Sequence, residues 1–243
     1  DVMKYMGSKA RIAKHILPII LKDRVDGQWY VEPFVGGGNT IDKVSGNRKG
    51  ADSNPHVVNA LAFIRDGTTP KNNKEFTEDS YNLAAKTARE GGLKSYKDGI
   101  YCYALIAFSF GAKWIGGRSR GKHSKGEDRD YVAEQHRASL KQKPLLQGLW
   151  LEHSDYSKLS IPDNSIIYCD SPYKGTTEYK DKFDHDHYFD WCRAMTKKGH
   201  QVFISEYKAP DDFKCIWQQE LNVSVAKNGK QKTAIEKLFI YNG

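Results

Sequence analysis

The tetrapeptide Asp170-Ser171-Pro172-Tyr173 is the first place where residue types and spacing could support a reaction. It follows the apolar run Ser165–Cys169, which is typical of a buried strand. The carboxylate of Asp170 and the main-chain carbonyl of Pro172 both accept hydrogen bonds, and Tyr173 offers an aromatic ring. Two such acceptors could hold an amino group on a flat molecule by both of its N–H bonds. Considered alone, the tetrapeptide is also typical of a turn after a strand.

A glycine-rich loop, Phe34–Gly38, is the second candidate site, and it follows the apolar run Gln28–Pro33. A Gly-x-Gly-x-x-Gly dinucleotide fingerprint would need glycine where this chain has Ile41, which disfavours a pyrophosphate-binding loop. Bare backbone suits a nucleoside or an amino-acid moiety instead, with the ring of Phe34 as an apolar wall. Asp52 ends the next predicted strand and could accept hydrogen bonds from a ribose diol. The alternative is a plain strand-to-helix turn with a capping Asp.

The elements that must position these residues follow an α/β pattern. Strands are predicted at 28–33, 47–51, 149–153, 165–169, 201–204, 215–221 and 233–241. Helices are predicted directly after the glycine loop and over 55–65 and 185–198. Alternating strands and helices indicate a parallel sheet, and the turn signal Asn228–Gly229 indicates a hairpin between the last two strands. We therefore expect a mostly parallel sheet closed by an antiparallel C-terminal hairpin.

Residues 67–143 interrupt this pattern and are predicted to form an inserted subdomain. The segment is polar as far as Asp98, and helices are predicted over Ile100–Phe110 and Arg129–Lys143. The predicted domain organisation is an α/β domain in two parts, residues 1–66 and 144–243, with the insertion at 67–143 between them.

A basic loop, Phe110–Lys125, lies within the insertion and contains no acidic residue. We predict that its cations contact the phosphates of a nucleic acid, although a solvated loop is the alternative. These cations are Lys113, Arg118, Arg120, Lys122 and Lys125. The whole chain has 38 Lys and Arg against 30 Asp and Glu, and its net charge of +8 also favours a polyanionic partner.

Composition excludes several classes of protein. Hydrophobic residues make up 39% and aromatic residues 12% of the chain, which excludes a disordered protein. The longest apolar run, Ile16–Leu21, is too short to span a bilayer. Neither the four Cys nor the eight His show metal-ligand spacing, and His185 and His187 are interpreted as surface or capping residues. We expect a soluble, cytoplasmic protein without metal, and its oligomeric state stays open, a monomer included.

The glycine loop and the tetrapeptide together resemble the N6-adenine DNA methyltransferases of the Dam-like group (D12 class), many of which are encoded by bacteria or phages. The resemblance covers nearly the whole chain and consists of five motifs in the family's order: Lys4–Lys9, Glu32–Gly38, Ala51–Asn54, His153–Tyr156 and Asp170–Tyr173. It implies a Rossmann-like class I methyltransferase fold. In that fold a mixed seven-stranded sheet carries a largely helical target-recognition insertion.

The resemblance also implies S-adenosylmethionine as the cofactor and double-stranded DNA as the partner. Asp170 and Pro172 are then catalytic, because two acceptors would pull the adenine amino nitrogen toward a tetrahedral, nucleophilic shape. Tyr173 would stack on an adenine that has flipped out of the duplex. The chain departs from the family at Ser171, where a proline would stiffen the loop. The implied cofactor-binding residues are Tyr5, Gly7, Lys9, Phe34, Gly36, Gly38, Asp52, Asp155, Tyr156 and Asp170.

Two other functions remain open from the sequence. Related tetrapeptides serve amino methyltransferases that act on RNA adenine or on cytosine N4. Ser171 is the feature that favours a catalytically weak DNA-binding protein that retains the cofactor fold. The expected setting is the cytoplasm of a bacterial cell, for an enzyme of bacterial or phage origin.

Overall fold

A seven-stranded sheet is the central feature of the computed structural model, which describes residues 7–124, 126–172, 183–225 and 231–243. Its strands are β1 (Tyr30–Glu32), β2 (Arg48–Asp52), β3 (Trp150–His153), β4 (Ile166–Cys169), β5 (Gln201–Ser205), β6 (Phe213–Val225) and β7 (Gln231–Tyr241). They lie in the order β3-β2-β1-β4-β5-β7-β6. Strands β1 to β5 are parallel, whereas β7 is antiparallel to both β5 and β6. This confirms the predicted mixed sheet with its antiparallel C-terminal hairpin, whose turn, Asn228–Gly229, lies outside the described residues.

The helices of the described residues are α1 (Ala10–Ile20), α2 (Pro55–Asp66), α3 (Glu78–Arg89), α4 (Gly99–Ala107), α5 (Tyr131–Gln142) and α6 (His185–Lys197). Helix α2 begins where predicted, because the Asn54 side chain accepts a hydrogen bond from the His56 amide (3.0 Å). Helix α6 begins after Asp184, which accepts in the same way from the His187 amide (2.9 Å). Across the part of the chain described above, no helix has the length and apolar character needed to cross a membrane.

One predicted helix is wrong, and one helix of the structure is not predicted from the sequence. The helix expected directly after the glycine loop is a single 3₁₀ turn, Ile41–Lys43. Gly46, at φ 74°, turns the chain back into β2 too soon for a longer helix. Helix α3 lies in the polar segment before Asp98, for which the sequence pattern predicts no particular element. It forms because Thr77 accepts a hydrogen bond from the Ser80 amide (3.2 Å), and because one face buries Tyr81 and its neighbours.

The segment between α2 and β3 is largely helical, as expected, and it packs directly on the glycine loop. Helix α4 is buried along most of its length and shares one hydrophobic cluster with α1 and α2. The hydroxyls of Tyr103 and Ser139 bond at 2.9 Å and join α4 to α5. Gln142, the last residue of α5, donates from its side-chain amide to the Gly37 carbonyl (2.9 Å). The predicted limits of the insertion, 67 and 143, stay a prediction.

The carboxyl ends of β1, β2 and β4 meet at one edge of the sheet. Glu32 pairs with Gly50 across β1 and β2, and Tyr30 pairs with Ile166 across β1 and β4. In consequence the side chains at and after these strand ends, Glu32, Asp52 and Asp170, share that edge.

Candidate active site

The glycine loop is held in place by Asp52. One carboxylate oxygen of Asp52 accepts from the Gly36 amide (3.2 Å), and the other accepts from the Asn54 amide (2.9 Å). Gly36 and Gly38 have φ of 48° and 68°, a region that strongly favours glycine. Burial raises the pKa of the Asp52 carboxyl, while the two amide hydrogen bonds act in the opposite direction. The carboxylate still has acceptor capacity for a ribose diol, because each oxygen carries two lone pairs.

An aromatic wall stands beside the loop. The Phe34 ring packs against Tyr156, Tyr188 and Phe183, with ring centroids 5.3, 5.8 and 5.9 Å away. The Tyr156 hydroxyl bonds to His187 Nδ1 (2.7 Å), and burial raises the pKa of Tyr156 to about 12. Tyr156 and Tyr188 are buried, whereas Phe34 and Phe183 are partly exposed and offer apolar ring surface that suits the adenine of a nucleoside.

Asp155 lies exposed at the start of the 3₁₀ turn Tyr156–Lys158. Its Oδ1 accepts from the Ser157 amide (2.9 Å) and from the Ser157 hydroxyl. Among the described residues no hydrogen bond is made to its Oδ2, so this oxygen could accept from an exocyclic amine. The acceptors and rings at this edge are of the kinds that S-adenosylmethionine would need: a carboxylate for a ribose diol, a second carboxylate for an exocyclic amine and an aromatic wall for an adenine ring.

A buried ion cluster joins the N-terminal motif to the tetrapeptide Asp170–Tyr173 through Lys9 and Asp170. Lys9 Nζ lies 3.6 Å from Asp170 Oδ1 and 3.3 Å from Glu236 Oε2, with only 9% of the Lys9 side chain exposed. Burial lowers the pKa of Lys9, but the two carboxylates outweigh this effect and raise it overall. Next to Lys9, the Ser8 hydroxyl accepts from the Asn39 side chain (2.8 Å). Gly7, two residues before Lys9, has a φ of 79°, which favours glycine.

Glu32 is a buried carboxyl at the end of β1, with 3% of its surface exposed. The Tyr30 hydroxyl bonds to Glu32 Oε1 (2.8 Å). Burial raises the pKa of Glu32 well above its ordinary value, and the charge of the nearby Asp170 acts in the same direction. Folding therefore favours the protonated, neutral form of the Glu32 carboxyl.

The tetrapeptide itself leaves β4 with two acceptors at the sheet edge. Asp170 is about a quarter exposed, whereas Ser171 is buried. The Pro172 carbonyl oxygen lies 3.1 Å from His185 Nε2, a contact between the tetrapeptide and the first turn of α6. Tyr173 lies outside the described residues, as do Tyr5 and Lys125.

The basic loop is only partly available for a ligand. Arg118 Nη2 donates to Asn73 Oδ1 (2.8 Å) and to the Phe76 carbonyl (3.2 Å), so this guanidinium supports the start of α3. Arg120 forms an ion pair with Glu78 but remains largely exposed. Lys113 and Lys122 are also exposed. Trp114 stacks on His56 with ring centroids 4.3 Å apart, which ties the loop to α2.

Three site residues are not singled out by the sequence. Glu236 and Gln142 reach the site from distant elements, and no local pattern marks them. His185 lies in the first turn of the helix after the tetrapeptide, and the sequence indicates only a surface or capping role for it. A search of the described residues finds no cluster of three or more His, Cys, Asp or Glu that could hold a metal ion.

Comparison with known proteins gives three similarities. Residues 5–96, less than half of the chain, match the model of the D12 class N6 adenine-specific DNA methyltransferases, which confirms the resemblance over that range. The chain is 25% identical over 216 residues to Type II methyltransferase M.FokI of Planomicrobium okeanokoites, covering 81% of this chain and 32% of the relative. The chain thus spans about a third of the length of that curated relative.

A solved structure is also similar, that of SMU.472, a methyltransferase candidate in complex with SAH. The similarity covers 98% of this chain and 54% of the other, with 11% identity and a TM-score of 0.35. A TM-score this low bears on neither the mechanism nor the substrate.

Proposed function

We propose that this chain transfers the methyl group of S-adenosylmethionine to the N6 amino group of adenine in double-stranded DNA. The observation that carries the proposal is the arrangement of Asp170 and the Pro172 carbonyl at the same sheet edge as the glycine loop and Asp52. The match of residues 5–96 to the D12 class supports the same reaction. The proposed setting is the cytoplasm of a bacterial cell.

The proposed cofactor site combines the polar groups and rings of this edge. Asp52 accepts hydrogen bonds from the ribose hydroxyls, and Oδ2 of Asp155 accepts a hydrogen bond from the adenine amine. Phe34 and Tyr156 line the adenine ring, while Gly36 and Gly38 let the ligand approach the backbone closely. The cofactor, when bound, supplies an electrophilic methyl group on a sulfonium. Tyr5 and Gly7 belong to the same proposed site through the N-terminal motif.

The proposed catalytic step uses two acceptors on one amino group. Asp170 and the Pro172 carbonyl each accept one N–H of adenine N6, which reduces the delocalisation of its lone pair into the ring. With the amino group held in this way, the lone pair would face the sulfonium methyl group, and the Asp170 carboxylate would stabilise the positive charge that develops on nitrogen. The N–C bond would form as the C–S bond breaks, giving N6-methyladenine, S-adenosylhomocysteine and one proton. Lys9 holds that carboxylate from the protein side at 3.6 Å. Tyr173 is proposed to stack on the flipped base.

The proposed DNA contacts come from the exposed cations of the basic loop. Arg120, Lys122 and Lys113 are exposed and can approach phosphates, and Lys125 is proposed to act with them. Arg118 contributes to the fold of the loop through its bonds to Asn73 and Phe76. No base-reading residue is proposed.

The test is product analysis with the purified protein. Duplex DNA and, in a separate reaction, RNA are incubated with S-adenosylmethionine carrying a labelled methyl group, and the digested nucleosides are separated. Label in N6-methyladenine, absent with Asp170→Ala, is the expected result. Label in N4-methylcytosine, or in RNA adenine alone, would show that the protein methylates one of these other amino groups instead. DNA binding without label would indicate a catalytically weak DNA-binding protein.

A further inference from the structure

His185 makes a contact that the proposed mechanism does not yet use. Its half-buried ring places Nε2 3.1 Å from the Pro172 carbonyl oxygen and Nδ1 3.1 Å from the Phe183 carbonyl oxygen. Carbonyl oxygens only accept hydrogen bonds, so a ring nitrogen that bonds to one must carry the proton. A neutral ring carries one N–H, so it donates either from Nε2 to the Pro172 carbonyl or from Nδ1 to the Phe183 carbonyl. The tautomer with Nε2–H is the one that holds Pro172.

The direction of the Pro172 carbonyl depends on the ψ torsion of Pro172, which the proline ring does not fix. The pyrrolidine ring locks φ, but the carbonyl oxygen turns with ψ of the same residue. Ser171, which precedes it, adds no ring constraint of its own. A hydrogen bond from His185 is the described contact that holds this oxygen in one direction.

The donor is itself well fixed. Asp184 caps α6 through the His187 amide, and His187 bonds to the Tyr156 hydroxyl. The His185 ring packs edge-on against Phe183, with centroids 4.9 Å apart. The turn that presents His185 is thus the turn that supports the aromatic wall, and both are tied to the same helix start.

We propose that His185 is a positioning residue that orients the Pro172 carbonyl toward the target amino group. The inference rests on the proposed function, because that carbonyl is one of the two acceptors for adenine N6. A carbonyl oxygen has two lone pairs, so one can accept from His185 while the other accepts from the substrate. Through the side chain of His185, the start of α6 thereby supports the active site, whereas the neighbouring Asp186 side chain is exposed and takes no part in it.

The experiment compares three variants of His185 in single-turnover methylation of duplex DNA, together with the dissociation constant for S-adenosylmethionine. His185→Leu removes the donor. His185→Asn keeps an amide but reaches only as far as Nδ1, whereas His185→Gln carries its NH₂ to the position of Nε2. Asp186→Ala, an exposed change in the same turn, is the matched control.

We expect His185→Leu and His185→Asn to lower the single-turnover rate about 10-fold to 100-fold, because a small misplacement of a reacting group has effects of this size. The cofactor dissociation constant should change less than about 2-fold, since this contact is not with the cofactor. His185→Gln should recover most of the rate, and Asp186→Ala should match the wild type.

The outcomes separate the two proposals. If the wild type methylates adenine and the Leu and Asn variants keep its rate, the role of His185 is overturned and the proposed function stands. Equal losses in the Gln and Asn variants would also overturn it, because rescue must depend on reach. If the wild type methylates no adenine, the proposed function fails, and with it the role of His185.

Discussion

Asp170 is the residue whose removal should separate chemistry from cofactor binding. We expect Asp170→Ala to lower the methylation rate by about 10²–10³-fold, a typical size for removing one preorganised group that stabilises charge in the transition state. Its main contribution comes in the transition state, so the affinity for S-adenosylmethionine should change little. Asp170→Asn should retain more activity than the Ala variant, since its side-chain carbonyl still accepts one hydrogen bond. Rates from single-turnover assays and affinities from calorimetry check both statements, and a substantial residual rate in Asp170→Ala would contradict the mechanism.

Asp52 is expected to contribute to cofactor affinity rather than to the rate of methyl transfer. We expect Asp52→Ala to weaken S-adenosylmethionine binding by about 1–3 kcal/mol, the usual cost of losing hydrogen bonds to a charged acceptor. Part of this loss would come from the Gly36 amide, which loses its partner in the loop. Asp52→Asn, which keeps one acceptor oxygen, should lose less. Calorimetry on folded variants measures the effect, and an unchanged affinity in Asp52→Ala would remove Asp52 from the site.

Glu32 should make stability depend on pH. Its pKa is raised in the folded state by burial, so above the unfolded pKa of about 4.3 the folded state binds more protons than the unfolded state. The free energy of unfolding should therefore fall as the pH rises from that value through the folded pKa, by up to about 1.4 kcal/mol per pH unit. Denaturant unfolding of wild type and Glu32→Gln across pH 5 to about 8 tests this. The Gln variant should gain stability relative to the wild type as the pH rises, and parallel curves would contradict it.

At the scale of elements, the C-terminal hairpin supports the site through one strand. β7 lies between β5 and β6, and this position brings Glu236 to the buried Lys9. We expect Glu236→Gln to lower the free energy of unfolding by about 1–3 kcal/mol, because a charge-assisted bond to a buried ammonium is lost. Urea unfolding measures the change. Ile235→Ala, at an exposed neighbouring position on β7, is the control. If Glu236→Gln loses no more unfolding free energy than this control, Asp170 alone is enough to stabilise the buried Lys9 ammonium.

The strands follow the sequence pattern more closely than the helices do. β4 and β5 are short and apolar between turn residues, and this local pattern is enough to locate them. α3 has a polar composition and one narrow buried face, so its cap at Thr77 is a better signal than its periodicity. The single 3₁₀ turn after the glycine loop depends on how soon β2 must begin, which is a property of the sheet.

At the scale of the whole molecule, charge predicts how DNA binding depends on salt. If Arg120 and Lys122 each neutralise one phosphate, changing both to Ala should flatten the slope of log affinity against log salt by about 2 units. Affinity should fall on every duplex, because phosphate contacts carry no sequence information. Arg118→Ala should chiefly lower stability, since its guanidinium bonds within the fold.

The control for this titration removes two other exposed cations. Lys198 follows α6 and Lys214 lies near the start of β6, at the sheet edge opposite the site. Their double Ala variant should leave the slope unchanged. Equal slopes for the basic-loop variant and the wild type would show that the phosphate contacts lie elsewhere on the molecule.

The sequence by itself determined the α/β class, the glycine loop, the cap of α2 and the order of the motifs. Each of these depends on residues that are close along the chain, where φ preferences, capping and apolar alternation act locally. Only the tertiary structure decided which distant groups meet. Lys9 and Glu236 are 227 positions apart, and the Pro172 carbonyl meets His185 where residues of α6 and β4 share one hydrophobic cluster. Such contacts follow from strand order and helix packing, and no short pattern in the chain encodes them.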